Sequence, residues 1–155
     1  MYGWLEVSVV TLLKSNGDFT WENIDILKYK EEGAHFKAIT RQILFEGNRD
    51  LPGQLRYFDI APGGYSTLER HNHEHVVMVI RGAGKALIGA EVISLDRFDI
   101  VHIPPRTWHQ FQPVGNDSLG FLCLVNKERD KPERPSKAEL DEIKKSKAVA
   151  QFIKT

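Results

Sequence analysis

Apolar residues in this chain come in short bursts. The stretches "WLEVSVVTLL", "KAITRQILF", "QLRYFDI", "HVVMVIRG", "KALIGAEVISL", "FDIVHIP", "WHQFQPV" and "SLGFLCLV" are apolar or alternate apolar with polar, and Gly, Pro, Asn or Asp separates most of them. Period-two alternation between turn residues predicts many short strands, which together form a sandwich or a closed barrel. Turn chemistry predicts reversals at "SNGD" (15–18), "APGG" (61–64) and "VGND" (114–117). "RGAGKALIG" contains a Gly-x-Gly-Lys but lacks phosphate-loop spacing and leads into a strand-like run, so it reads as a tight hairpin turn.

The pattern changes after Asn126. "NKERDKPERPSKAELDEIKKSKAVAQFIKT" is charged, carries Pro132 and Pro135, and then takes on helical spacing. Ser136 with Glu139 forms a capping box, Leu140 and Ile143 lie one turn apart, and Ala148, Val149, Phe152 and Ile153 make a second amphipathic piece. The expected organisation is one all-β domain, residues 1–135 with an N-terminal strand arm. A helical tail over 136–155 packs on the outside of the barrel or on a partner subunit.

Composition narrows the function classes. The chain has 155 residues, suited to one domain, and its 21 basic residues balance 21 acidic ones. Zero net charge gives no general attraction to nucleic acid or to an anionic membrane. No apolar run approaches the roughly 20 residues that span a bilayer. The opening "MYGWLEVSVVTLLKSNG" lacks a basic leader and a small-residue cleavage pattern, so a cytoplasmic location is expected. The single cysteine, Cys123, excludes an intrachain disulfide and a cysteine-built zinc site, and its run "LGFLCLV" reads as core.

Candidate chemistry concentrates in "LERHNHEHVVMVIRGAG", Leu68–Gly84, where three of the six histidines fall within five residues. On a strand, Glu69, His71, His73 and His75 would share one face. Both faces stay polar through Glu74, which suits the lining of a hydrated or metal-containing cavity rather than a packed core. Neighbouring imidazoles two residues apart can converge on one ion. All four groups on a straight strand cannot, because each residue advances it by about 3.4 Å, so a bend must intervene or some groups must act otherwise. A second constellation, "FDIVHIPPRTWHQFQPVG", ends a strand at Pro104–Pro105 and places His109 at the start of the next, where it can reach across a cavity.

These two segments resemble the paired motifs of the cupin superfamily, G-x5-H-x-H-x3,4-E-x6-G and G-x5-P-x-G-x2-H-x3-N. In the second motif Asp99, Pro104 and His109 align, while Phe98 replaces the leading glycine, Arg106 the turn glycine and Pro113 the asparagine. The resemblance covers roughly residues 40–126 and implies a double-stranded β-helix, or jelly-roll, barrel. Counting back from Gly82, it implies a ligand set of Glu69, His71, His75 and His109, with His73 beside it as a proton carrier or substrate contact. A compressed set of His71, His73, His75 and His109 is the alternative. Either set suits Fe, Mn, Ni, Co or Zn, and ligand type does not choose among them.

Trp108 and Phe111 flank His109 and are candidate walls of a substrate pocket. His102 reads as a hydrogen-bonded structural histidine. Arg41, Arg56 and Arg70 could meet a carboxylate substrate but default to solvated surface positions, and Trp4 and Trp21 default to anchors of the N-terminal arm or a dimer contact. Two function classes follow: a metal-dependent enzyme acting on a small oxygenated molecule by a dioxygenase-type or enolisation-type reaction, or a non-catalytic small-ligand binding or sensing domain with a structural metal. A homodimer is implied by the resemblance, and no nucleic-acid or membrane partner is expected.

Overall fold

The computed structural model describes residues 12–30 and 33–155. The predicted N-terminal strand, with Trp4, falls largely outside them. The elements run β1 (Leu27–Lys28), β2 (Lys37–Phe45), β3 (Gly53–Tyr65), β4 (His75–Arg81), β5 (Gly84–Ile88), β6 (Glu91–Leu95), β7 (Ile100–Ile103), β8 (His109–Pro113), β9 (Leu119–Asn126), α1 (Lys137–Ile143) and α2 (Lys147–Phe152). Two antiparallel sheets result, one ordered β1-β2-β3-β9-β4-β7 and the other β6-β5-β8. This is the all-β barrel with a short helical tail that the strand pattern predicts.

The inward faces of the two sheets meet in one apolar core built from Ile39, Phe58 and Ile60 on one side and Ala86, Leu95 and Phe111 on the other. Burying each large side chain of this kind is worth about 1.5–3 kcal/mol. A second cluster, Leu68, Leu87, Val149 and Ile153 with Trp108 at its edge, lies between the small sheet and the helices. The tail is also held by hydrogen bonds. Fully buried Gln110 donates to the carbonyls of Ser66 (2.9 Å) and Lys154 (2.8 Å) and accepts from the Lys154 amide (2.8 Å), and Gln112 donates to the Phe152 carbonyl. The Ser136–Glu139 capping box starts α1 as its spacing predicts.

Several turns differ from the sequence reading. "APGG" is not a reversal: β3 runs through it, and the register against β2 slips between Lys37 and Ile39, so residues 61–64 bulge within a continuing strand. "RGAG" is not a hairpin either, because β4 and β5 pair in different sheets. Gly82 marks the crossing. Its φ is +63°, and a Cβ there would collide with the Ser118 carbonyl oxygen, so only glycine fits. "SNGD" belongs to a wider loop closed by Asn16 N–H to the Thr20 carbonyl and by a Ser15–Trp21 bridge. Trp21 then packs on Tyr57, with ring centroids 5.4 Å apart. Among the described residues no helix is long and apolar enough to cross a membrane.

Candidate metal centre

Strand β4 begins only at His75, so the expectation of one straight strand carrying Glu69, His71, His73 and His75 on a common face does not hold. The chain bends at Asn72–His73. Asp130 makes that bend, its carboxylate accepting from the amides of Asn72 (2.8 Å) and His73 (3.0 Å). The bend lets two imidazoles four residues apart meet: His71 Nε2 lies 2.7 Å from His75 Nε2. Across the cavity, Glu69 and His109 exchange backbone hydrogen bonds of 3.2 and 3.0 Å, which sets His109 beside the same segment. The turn before it is fixed by Arg106 N–H donating to the His71 carbonyl at 2.7 Å.

Arg106 and Phe98 occupy the two positions where the resembled motif carries glycine. Both keep the left-handed backbone that glycine would take, with φ of +59° and +76°. The loop geometry has survived the loss of the residue that suits it best, at a cost of roughly 1–2 kcal/mol per site.

His71, His75 and His109 each offer a ring nitrogen, and the three atoms lie within 4.8 Å of one another. Their tautomers follow from the partners of the other nitrogen. Nδ1 of His71 faces the His73 carbonyl at 2.7 Å, and Nδ1 of His109 faces the Thr107 carbonyl at 2.9 Å. A carbonyl oxygen only accepts, so both Nδ1 atoms carry the proton and both Nε2 atoms present bare lone pairs. His75 Nδ1 lies 3.1 Å from Cys123 Sγ, which can accept a hydrogen bond from Nδ1–H and so leave Nε2 free as a ligand. Converging lone pairs call for a cation between them, and outer partners that fix the tautomer are what ligating histidines use. The donor set therefore fits a divalent transition metal.

Burial keeps these rings neutral and ready to ligate. It lowers the pKa of His71 to about 4, with the nearby His109 and His73 adding to the effect. His75 and His109 are lowered too, again chiefly by burial; the Glu69 carboxylate partly opposes this at His109.

The two candidates for a fourth ligand sit beside this cluster and are engaged elsewhere. Glu69 is 7% exposed, and its carboxylate is ion-paired with Lys30 Nζ at 2.5 Å. His73 stacks on His71, with ring centroids 3.6 Å apart, and its Nδ1 faces Asp130 Oδ1 at 2.7 Å. Both line the same cavity of about 220 Å³, whose apolar wall includes Ile39, Phe58, Phe111 and Phe121. Phe111 lines this cavity. Trp108 does not: it is turned outward beneath the helical tail, where the Arg70 guanidinium covers its ring at 4.3 Å. The reason is strand alternation, since His109 and Phe111 point inward and Trp108 must point out.

Residues outside the candidate site set complete the cavity. Cys123, Arg56, Arg41, Arg129 and Lys30 line it, and Asp130 supports His73. Arg56 is 7% exposed rather than solvated. Arg70 is tied to Glu133 and Glu139. His102 contacts the Glu74 carboxylate at 2.5 Å on the exposed surface.

A family model described as Cupin domain matches residues 56–125. The chain is 50% identical over 136 residues, 87% of its length and 86% of the relative's, to a protein of Rhodospirillum rubrum named 1-methylthio-D-xylulose 5-phosphate methylsulfurylase. Among solved structures, a cupin 2 conserved barrel domain protein from Rhodopseudomonas palustris is 42% identical, with a TM-score of 0.88 over 94% of this chain and 100% of that one. A cupin-2 domain protein from Rhodospirillum rubrum is 48% identical, with a TM-score of 0.81 over 86% and 90%. With its barrel, its two motifs and these relatives, the chain belongs to the cupin superfamily.

Proposed function

We propose that this protein is a divalent-metal-dependent enzyme acting on 1-methylthio-D-xylulose 5-phosphate, the compound for which its Rhodospirillum rubrum relative is named. The observation that carries the metal-dependent part is the convergence of the His71, His75 and His109 ring nitrogens. Similarity across nearly the whole length of both chains supports the substrate. The enolisation-type chemistry expected from the sequence suits a ketose.

His71, His75 and His109 would hold the ion, with Glu69 as the fourth ligand once its carboxylate leaves Lys30. A bound divalent ion supplies Lewis acidity toward ketone and hydroxyl oxygens, which acidifies the carbon beside the carbonyl. His73 is the base. Its Nδ1–H donates to Asp130 Oδ1, which leaves Nε2 as an acceptor for a substrate proton. Phe58, Phe111 and Phe121 line the cavity, exclude water and give the methylthio group an apolar wall.

A phosphorylated substrate goes with a cytoplasmic location. A homodimer would cover the exposed Val76, Leu124 and Ile100 on the outer face of the large sheet. The test is proton NMR in D2O on untagged protein loaded in turn with Mn, Fe, Co, Ni or Zn. Deuterium entering beside the ketone, abolished by chelation, is expected. A compound left intact and undeuterated with every metal would make the domain a binder rather than an enzyme.

A further inference from the structure

The wall of the cavity formed by the large sheet carries arginines that lie outside every ion pair among the described residues. Arg56 is 7% exposed; among the described residues its Nη2 meets only Cys123 Sγ, at 3.4 Å, and its buried Nε has no hydrogen-bond partner. Arg41 Nε is likewise buried and without a partner. Among the described residues, none of the ion pairs includes Arg41, Arg56 or Arg129. Glu69 is paired with Lys30 and Asp59 with Arg81, while Glu46 accepts from the Gln54 amide and keeps its charge, which acts on Arg129. Arg129 donates to the carbonyls of Asn126 and Lys127, and burial together with the charges of Arg56 and Arg41 pulls its guanidinium below its usual pKa. Like charges gathered in a cavity destabilise one another unless an anion joins them.

Strand register fixes where that anion would sit. Arg56 pairs with Cys123 across β3 and β9, Cys123 pairs with Val77 across β9 and β4, and His75 lies two residues before Val77 on the same face. Arginines and histidines therefore share one wall, with Cys123 between them. We infer that Arg56 and Arg41 bind the phosphate monoester of the substrate, holding it so that its ketone end meets the histidine cluster. The guanidinium fork matches phosphate oxygens in pairs, which suits a dianion better than a hydroxyl. Arg129 adds charge at the rim. The assignment rests on the sugar-phosphate reading of the same site.

Calorimetry on the metal-loaded protein separates the two claims, with D-xylulose 5-phosphate, D-xylulose and inorganic phosphate as probes. The phosphorylated sugar should bind about 100-fold or more tighter than the neutral one, and inorganic phosphate should bind weakly. Arg56→Met should weaken the phosphorylated sugar about 10-fold or more, with metal content and D-xylulose binding unchanged. Arg41→Gln, at a half-buried position, gives the same direction should Arg56→Met not fold. Wild-type affinity in folded variants, or no preference for the phosphorylated sugar, overturns the site. Turnover with an unaltered KM in both variants also removes this assignment while leaving the proposed reaction. Arginine-dependent phosphate binding without turnover removes the reaction alone.

Discussion

His71 and His75 face one another through their Nε2 atoms at 2.7 Å, four residues apart on a chain that Asp130 bends between them. The His71 nitrogen has no proton, because its Nδ1 donates to the His73 carbonyl. Two imidazoles so placed are either hydrogen-bonded through a proton on His75 or bridged by a cation, and His109 arrives from β8 to complete the second arrangement.

His109→Ala should reduce bound metal to a small fraction of wild type while the barrel stays folded. His73→Ala should keep its metal. Metal content by mass spectrometry decides both, and metal lost in the His73 variant would favour the compressed histidine set over one that includes Glu69.

Asp130→Asn tests the proposed base. The amide keeps one acceptor oxygen where the carboxylate uses two, so it gives up one of the bend's hydrogen bonds and no longer charge-stabilises the imidazolium at His73; kcat should fall about 10²-fold with metal content retained. Unchanged kcat would remove His73 from proton transfer.

Protonation should destabilise the metal-free fold in acid. The folded-state pKa of His71 is lowered to about 4, chiefly by burial, and His75 and His109 move the same way. Between the ordinary histidine value near 6.5 and about 4, the unfolded chain binds more protons than the folded one. Stability is therefore fully present above that ordinary value and is lost as pH falls through the folded value. Denaturant midpoints of the metal-free protein should drop steadily from pH 7 to pH 4, and flat midpoints would contradict the burial of neutral rings.

Gln110→Ala should cost about 1–3 kcal/mol, because it strands the buried Ser66 carbonyl and the Lys154 backbone groups. The helical tail should become sensitive to proteolysis before the barrel does. Phe98→Gly should act in the opposite sense, by about 0.5 kcal/mol, since relief of the left-handed strain slightly exceeds the added entropy of the unfolded chain. Thermal unfolding checks both.

The strand pattern and the two motifs made the barrel and the histidine cluster legible, because alternation and family spacing are local signals. What failed were long-range matters. "APGG" reads as a turn by composition, yet β2 pairing carries β3 through it with a bulge. Trp108 looked like a pocket wall by adjacency to His109, whereas alternation turns neighbours to opposite faces. Arg56 and Cys123 sit in "QLRYFDI" and "LGFLCLV", where apolar residues occupy both phases and hide which face is inward. Only the pairing of β3 with β9 reveals that both line the cavity. Asp130, in the charged linker, contacts His73 across 57 residues of sequence, and nothing local announces that.

The account depends above all on a cation held by three imidazoles. Anomalous diffraction at the absorption edge of the metal found in the purified protein tests this directly. One peak about 2.1 Å from Nε2 of His71, His75 and His109 is the predicted result. A fully occupied peak elsewhere, or a metal-replete crystal with those nitrogens uncoordinated, would contradict it.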